Sequence, residues 1–334
     1  MRSECTLTMT RRQARAEVGA QVTVAWYDRT SKRSRERSMS QLRSAARRLN
    51  TPRPSPRRVD AMSPRVQTGG IGLADEAHAL RLELVEALHA TGGGHFGGSL
   101  SVLDITLVLY RRILRVAPGA PYHPERDRFI LSKGHAALAL YAVLRQLGFF
   151  DLPLTNYAQF GSPLQGHPEM HALAGIDFST GSLGQGLSVG LGMATALRHA
   201  GRQVWVVLGD GECQEGQVWE AAMLASRFGL DNLHAIIDAN GFQETFGGPG
   251  SEPVPGLASK WAAFGWRVFE VAAHDHVALE AVLNDANKAQ HQPSMVIASS
   301  IKGYGIPLIE SDPIRFHCSS LTEDEYSQIL ASGT

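Results

Sequence analysis

The sequence predicts an α/β fold with a doubly wound, mainly parallel sheet and helices on both faces. Short apolar runs such as residues 204–208 (VWVVL) and 233–237 (LHAII) have the length and composition of buried parallel strands. Helical segments separate these runs, and such alternation is typical of parallel sheets. Glycine-rich segments fall where strands end, which is where ligands bind in folds of this kind. These segments therefore indicate the position of a binding site.

The elements of the first half follow in order. Apolar residues recur at helical spacing from Asp75 and stop at residues 92–94 (GGG), which predicts the first helix. A second helix is expected over residues 102–114, after a glycine-rich loop around His95. Residues 128–131 (RFIL) predict a short strand, which leads into an alanine- and leucine-rich helix that ends near Gly148.

Residues 151–180 show no periodicity and are expected to form a long loop, which is uncommon in a compact domain unless it is functional. A helix over residues 183–200 precedes the strand at 204–208, and another helix starts near Gly216. Later strands are expected near residues 266–271 and 295–299, with a helix at 277–290 between them. No internal repeat and no further domain is evident.

Length and composition restrict the class of protein. The 334 residues are 43% hydrophobic and 19% charged, which is typical of a globular enzyme rather than a disordered chain. No apolar run approaches the roughly 20 residues that a membrane-spanning helix needs. The three cysteines, Cys5, Cys213 and Cys318, are unclustered and match neither a disulfide framework nor a zinc motif. We expect a reducing, cytoplasmic location.

The zero net charge conceals an asymmetry between the two ends of the chain. Residues 1–70 hold 16 Lys and Arg against 5 Asp and Glu, whereas residues 71–334 hold 16 against 27. The basic segment lacks apolar periodicity and is expected to be a disordered extension. It could be a basic binding arm, a transit peptide or upstream sequence outside the natural protein. We favour the last, with Met62 as a candidate start, and residues 71–334 as the folded domain.

A candidate metal and diphosphate site lies after two of the predicted strands. Gly209, Asp210 and Gly211 follow the strand at residues 204–208, and Asn240 follows the next strand, 30 residues after Asp210. Carboxylate and amide oxygens suit Mg²⁺, which often bridges to phosphates, and the helix starting near Gly216 favours an anion at its N-terminus. A Gly-Asp-Gly segment alone also forms ordinary turns. The strand, helix and asparagine together favour the ligand site.

Longer motifs extend this pattern through residues 73–320. They are residues 94–101 (GHFGGSLS), 132–136 (SKGHA), 166–169 (GHPE), 180–186 (TGSLGQG) and 209–216 (GDGECQEG). Together they resemble the transketolase family, although Phe96 stands where the family has proline. The resemblance implies a thiamine-diphosphate-binding fold, thiamine diphosphate and Mg²⁺ as cofactors, and transfer of a two-carbon ketol unit between sugars or sugar phosphates. The bulk of Phe96 near His95 leaves open whether ordinary pentose phosphates are substrates.

The resemblance also implies a role for each site residue. The metal ligands would be Asp210, Asn240 and the carbonyl of Phe242. The cofactor would contact His135, Gly181, Leu183, Gly209, Asp210, Gly211, Glu212 and Asn240, with Gly211 and Glu212 along its diphosphate. The catalytic residues would be His95, His135, His167, Glu215 and His317. Imidazoles suit this role because their pKa lies near the working pH, although a single histidine is more often a surface or core residue. His317 is followed by a cysteine where the family has glycine.

The resemblance covers the diphosphate-binding part of a transketolase and implies a split enzyme. A C-terminal partner subunit would supply the pyrimidine-binding domain, and Glu215 would share a proton with that domain's activating glutamate. The alternative for Glu215 is a helix N-terminal glutamate that interacts with the helix dipole. We expect a heterotetramer, with no membrane or nucleic-acid partner. Alternative functions are the alpha subunit of a 2-oxo-acid dehydrogenase, a pyruvate-condensing synthase, and a non-catalytic regulatory protein.

Overall fold

Five parallel strands form the sheet, and the computed structural model describes residues 72–244 and 254–332. The strands are β1 (Arg128–Leu131), β2 (Val204–Gly209), β3 (Leu233–Ala239), β4 (Arg267–Ala272) and β5 (Ser294–Ser299). Their order across the sheet is β1-β2-β3-β5-β4, and every neighbouring pair is parallel. The predicted strands and their parallel arrangement are confirmed. The expectations for residues 1–70 and Met62 lie outside the described residues.

Helices pack on both faces of this sheet. They are α1 (Leu73–Ala90), α2 (Phe96–Val108), α3 (Ala137–Gln146), α4 (Gln185–Leu197), α5 (Gly216–Phe228), α6 (Leu257–Ala263), α7 (His276–Ala286), α8 (Pro307–Ser311) and α9 (Glu323–Ser332). The segment expected to be a long loop holds a single short 3₁₀ turn at Leu154–Asn156. The helices α6, α8 and α9 were not predicted from the sequence.

Alternate residues of each strand enter two different cores, as the pleat of a sheet requires. Trp205 and Val207 of β2 pack with residues of α1, α2, α3 and α7. Val204, Val206 and Leu208 face the opposite way and pack with α4, α5 and α6. The central strands are therefore buried on both faces, which explains why their sequences are nearly continuous apolar runs.

The helix expected to start at residue 102 begins instead at Phe96, so that prediction was wrong by six residues. The Gly97-Gly98 pair suggested a loop, but both residues lie in the first turn of the helix, where neighbouring side chains leave little room for a Cβ. A Cβ on Gly97 would lie 2.7 Å from Cγ of Lys302. Phe96 is fully buried and its ring packs edge-to-face against Phe316, with centroids 6.1 Å apart. Its bulk therefore enters the core.

The pairing of β2 with β3 positions the predicted metal ligands. Gly209 lies opposite Asp238 in the register of these two strands. Asp210 and Asn240, which follow the two strands, consequently leave the sheet side by side at its carboxyl edge.

Among the described residues, no helix combines the length and the apolar character that crossing a bilayer requires.

Candidate active site

A pocket of about 500 Å³ opens at the carboxyl edge of the sheet. Most of the residues singled out by sequence line it, namely His95, His135, Gly181, Leu183, Gly209, Asp210, Gly211, Glu212, Glu215, Asn240, Phe242 and His317. These residues come from the ends of β1, β2 and β3, from the loop before α4, and from the segments that precede α2 and follow α8. The parallel sheet thus brings motifs that are far apart in sequence into one cavity.

Asp210 is a buried carboxylate of this pocket, 4% exposed. Its Oδ1 accepts a hydrogen bond from the amide of Gly211 (2.9 Å), and its Oδ2 accepts one from the amide of Gly241 (2.6 Å). Burial raises the pKa of Asp210 to about 6. None of the described lysines and arginines forms an ion pair with it. A cation beside this carboxylate would offset the cost of burying its charge.

Asn240 lies beside Asp210 and is oriented by two hydrogen bonds. Its Oδ1 accepts from the amide of Phe242 at 3.1 Å, and its Nδ2 donates to Oγ of Ser101 at 3.4 Å. The amide oxygen keeps a second lone pair for a further partner. Asp210, the Asn240 oxygen and the Phe242 carbonyl are hard oxygen donors of the kind that Mg²⁺ binds together with phosphate oxygens.

This donor set differs from a transition-metal centre. Within residues 72–244 and 254–332, no three His, Cys, Asp or Glu side chains form a group that could hold a metal ion. One carboxylate with two neutral oxygens leaves most of a coordination sphere to water or to a ligand's own oxygens, as is usual for Mg²⁺ at phosphate sites. The residues present therefore fit a magnesium diphosphate.

Glu212 lines the pocket, and its expected contact with a diphosphate stays a prediction. Its carboxylate is 2% exposed and accepts hydrogen bonds from the hydroxyl of Ser132 and from the amides of Gly184 (2.8 Å) and Gly209 (3.1 Å). Burial raises its pKa, and these bonds oppose the rise. Three donors from three segments occupy the carboxylate, so Glu212 joins the loops that form the pocket wall.

Glu215 precedes α5 at the pocket rim, and its side chain is exposed. It occupies the N-cap position of α5, yet its carboxylate caps none of the helix amides. Its Cβ packs against Gly184, where a Cβ would lie 2.7 Å away and where φ is +82°. This contact holds the base of the side chain against Gly184, while the side chain as a whole is exposed.

Three of the four predicted histidines form a cluster on one wall. Ring centroids are 5.1 Å apart for His95 and His135, 5.9 Å for His95 and His317, and 6.0 Å for His135 and His317. Burial lowers the pKa of all three, to about 2 for His135 and about 4 for His317. Each imidazole is therefore neutral near pH 7 and can both donate and accept a hydrogen bond.

His167 is the predicted catalytic residue that does not line the pocket. Its side chain is exposed in the loop after α3, and its ring lies 3.3 Å from where a Cβ of Gly181 would be. It is close enough to the other histidines to lower the pKa of His95 and of His135 by charge repulsion. His167 therefore borders the cluster, next to a pocket-lining glycine.

Two buried lysines of the pocket were missed by sequence analysis. Lys133 is 2% exposed and donates to Oδ2 of Asp238 at 2.5 Å. Lys302 is 3% exposed, and its Nζ lies 2.6 Å from Nδ1 of His317. Burial and, to a smaller extent, the charge of Lys133 lower the pKa of Lys302 to about 8. Both lysines follow strand ends, which is the signal that could have identified them.

Glu244 completes the mouth of the pocket and was also not predicted. Its Oε2 lies 3.2 Å from Nε2 of His317, whose Nδ1 faces Lys302. Because the ammonium of Lys302 donates to Nδ1, His317 carries its proton on Nε2 and donates it towards Glu244. The pocket thus combines hard oxygen ligands, buried cations and neutral imidazoles, a set that can bind an anion with a metal and hydrogen-bond a hydroxylated substrate.

The chain matches the family described as transketolase, thiamine diphosphate binding domain, over residues 74–332, and it belongs to that family. It is 39% identical over 264 residues to the 6-deoxy-6-sulfo-D-fructose transketolase subunit SqwG of Clostridium sp. (strain MSTE9), covering 78% of this chain and 96% of that protein. It is 37% identical over 253 residues to an apulose-4-phosphate transketolase subunit of Phocaeicola vulgatus, covering 75% and 89%. It is therefore a transketolase-like enzyme subunit.

Solved structures agree with this assignment. The transketolase from Leishmania mexicana superimposes with a TM-score of 0.71 at 26% identity, covering 79% of this chain and 41% of that one. The Campylobacter jejuni transketolase gives a TM-score of 0.70 at 28% identity, covering 78% and 42%. The chain thus spans about two fifths of these transketolases, and the predicted fold is confirmed.

Proposed function

We propose that this chain is the diphosphate-binding subunit of a split transketolase, which transfers a two-carbon ketol unit between sugar or sugar-phosphate substrates with thiamine diphosphate and Mg²⁺. The observation that carries the proposal is the pairing of Asp210 with Asn240 at adjacent strand ends, inside a pocket with buried lysines. Similarity along 96% of a named transketolase subunit supports the same activity class.

A few residues at one end of the pocket would bind the cofactor. Asp210, the Asn240 oxygen and the Phe242 carbonyl would hold Mg²⁺. Lys133 and Lys302 are buried in the same cavity, where their charges would offset those of a diphosphate. When bound, thiamine diphosphate supplies the carbon atom to which the ketol unit is attached, and the protein supplies binding, orientation and electrostatics.

The cluster of three histidines would bind the substrate. His95, His135 and His317 are neutral near pH 7, because burial lowers the pKa of each. A neutral imidazole can orient sugar hydroxyls as donor or acceptor, and it can move a proton without leaving an extra charge in the cavity. His167, at the edge of this cluster, would act on a part of the substrate further from the metal.

A partner subunit would complete the site at Glu215. We infer a heterotetramer of two copies of this chain and two of the partner, in which apolar contacts dominate as they do in obligate interfaces. The exposed side of α5 supports this arrangement, because Met223, Leu224 and Phe228 are 54%, 40% and 41% exposed there.

We also propose a cytoplasmic location, since Cys213 and Cys318, the described cysteines, are both free thiols.

Reconstitution with a partner tests the proposal. The purified chain is to be assayed alone and after co-purification with a protein that carries a pyrimidine-binding domain, using a panel of ketose donors and aldose acceptors. We expect ketol transfer only from the pair. Full transfer by this chain alone would refute the split enzyme. Oxidative decarboxylation of 2-oxo acids by the pair, without ketol transfer, would instead support the dehydrogenase alternative.

A further inference from the structure

Asp238 is a fully buried carboxylate in the apolar strand β3. Its Oδ2 accepts hydrogen bonds from Oγ of Ser101 at 2.6 Å and from Nζ of Lys133 at 2.5 Å, and its Oδ1 accepts from Oγ of Ser300. A buried carboxylate persists only when it is paired and hydrogen-bonded. Its donors come from α2, from the turn after β1 and from the segment after β5, so Asp238 connects these three segments.

The bond between Ser101 and Asp238 controls the hydroxyl proton of Ser101. A hydroxyl has one proton to donate, and the Asp238 contact at 2.6 Å is shorter than the other one available, to the carbonyl of Gly98 at 3.2 Å. With the proton directed to Asp238, the Ser101 oxygen presents a lone pair to Asn240. It can then accept from the Asn240 Nδ2 group, as observed.

This arrangement acts together with the bond from the Phe242 amide to Oδ1 to set the orientation of the Asn240 amide. An amide can be reversed so that nitrogen and oxygen exchange places, and its hydrogen-bond partners decide between the two orientations. If the Ser101 hydroxyl donated to Asn240, it would compete with the Phe242 amide for the side-chain oxygen and favour the reversed amide, in which the NH₂ group takes the place of that oxygen. An NH₂ group cannot ligate Mg²⁺, whereas the amide oxygen can.

We propose that Asp238 is a positioning residue which, through the Ser101 hydroxyl, holds the Asn240 amide with its oxygen towards the metal. The inference rests on the proposed function, because it concerns the magnesium diphosphate site. Asp238 does not line the pocket. It acts as outer-sphere partners of metal ligands generally do, by orienting a ligand and excluding its unproductive conformation.

The test uses the purified chain with Mg²⁺ and inorganic diphosphate, the part of the cofactor that this subunit holds. The readout is the Mg²⁺ concentration that gives half of the diphosphate-dependent rise in melting temperature. We expect Ser101→Ala to raise this concentration about 10-fold. Ser294→Ala is the matched control. Ser294 is equally buried and hydrogen-bonded to His234, but it lies at the opposite edge of the sheet, so its substitution should lower the melting temperature without changing the Mg²⁺ requirement.

A second background separates positioning from general loss of structure. In Asn240→Asp, both oxygens of the side chain can ligate the metal, so its orientation no longer matters. Ser101→Ala should therefore change the Mg²⁺ requirement of Asn240→Asp by less than about 2-fold. Asp238→Asn should raise the Mg²⁺ requirement about as much as Ser101→Ala does. If Asp238→Asn does not fold, the comparison of Ser101→Ala in the wild type and in Asn240→Asp still tests the inference.

An unchanged Mg²⁺ requirement in Ser101→Ala, or an equal effect in both backgrounds, would overturn the inference. A wild-type chain without any Mg²⁺-dependent response to diphosphate would contradict the proposed cofactor site itself and, with it, the role of Asp238.

Discussion

The carboxylate of Glu212 accepts a hydrogen bond from the amide of Gly184 at 2.8 Å, which joins the turn after β2 to the start of α4. The same carboxylate accepts from Ser132 and from Gly209. One buried side chain thus holds together three loops that carry pocket residues, although no two of these loops are adjacent in sequence. Glu212 supports the shape of the cofactor site from beneath its surface.

Glu212→Gln should therefore reduce stability. The glutamine has nearly the same volume, but its NH₂ group would face one of three donors that now meet a carboxylate oxygen. We expect a loss of about 2 kcal/mol in the free energy of unfolding, measured by urea denaturation. Glu83→Gln is the control, because Glu83 forms a partly exposed ion pair with Arg145 and should cost less than about 1 kcal/mol. Equal effects would contradict the bridging role of Glu212.

Asp210→Ala should abolish the Mg²⁺-dependent binding of thiamine diphosphate in the assembled enzyme and leave the fold intact. The carboxylate is the sole charged member of the donor set that Asp210, Asn240 and Phe242 form, so its removal takes away most of the attraction for the cation. Calorimetry with Mg²⁺ and cofactor measures the affinity, and circular dichroism checks the fold. An unchanged affinity in the folded variant would rule out Asp210 as a ligand.

Glu215→Gln should slow turnover far more than it alters the apparent KM for the substrate. Its exposed carboxylate caps none of the α5 amides, and the proposed partner is a glutamate of the other subunit, with which it would share a proton. The effect should therefore act on activation of the cofactor. Steady-state kinetics of the pair separate kcat from KM. A raised KM at unchanged kcat would identify Glu215 as a substrate contact.

Stability should fall with decreasing pH partly because of His234. This histidine is fully buried in β3, and burial lowers its pKa to about 3, whereas the unfolded value is about 6.5. Between these values the unfolded chain binds a proton that the folded chain excludes. The contribution is complete above pH 6.5 and falls by about 1.4 kcal/mol for each pH unit below it.

His234→Gln should consequently flatten the pH dependence of the free energy of unfolding between pH 6.5 and 5, although it lowers stability at pH 7 by disturbing the bonds to Ser294 and Gln203. Urea denaturation at several pH values provides the slopes. The exposed His171 offers a comparison, since His171→Gln should keep the wild-type slope. An unaltered slope in His234→Gln would show that other groups cause the acid sensitivity.

The strands and most pocket residues could be predicted because their determinants are local. An apolar run followed by Gly209, Asp210 and Gly211 specifies both a strand and the turn that ends it. The start of α2 could not be predicted, because Gly97 favours a loop in isolation, and the need for glycine there comes from the close approach of Lys302, which is more than 200 residues away in sequence. A contact between distant segments here overrides a local preference.

The other site residues that were not predicted have roles that depend on contacts with segments distant in sequence. Lys133 stands inside the SKGHA motif, yet its burial against Asp238 exists only once β1 and β3 belong to one sheet. The bridging position of Glu212 likewise needs three loops to be assembled. A rule applied to Asp210 and Asn240, that polar residues at strand ends meet in parallel sheets, would have found Lys302 as well, because it follows β5.

The strands β2 and β3 lie inside the sheet, which limits how readily their backbone amides are exposed to solvent. Each has a hydrogen-bonded strand on both sides, whereas β1 and β4 form the two edges. Backbone amides of interior strands exchange with solvent only when a larger unit of structure opens. Asp210 and Asn240 directly follow these slowly exchanging strands. A cofactor held at these proposed metal ligands should be able to leave and return many times while β2 and β3 stay closed, so repeated loss of cofactor should not destabilise the fold.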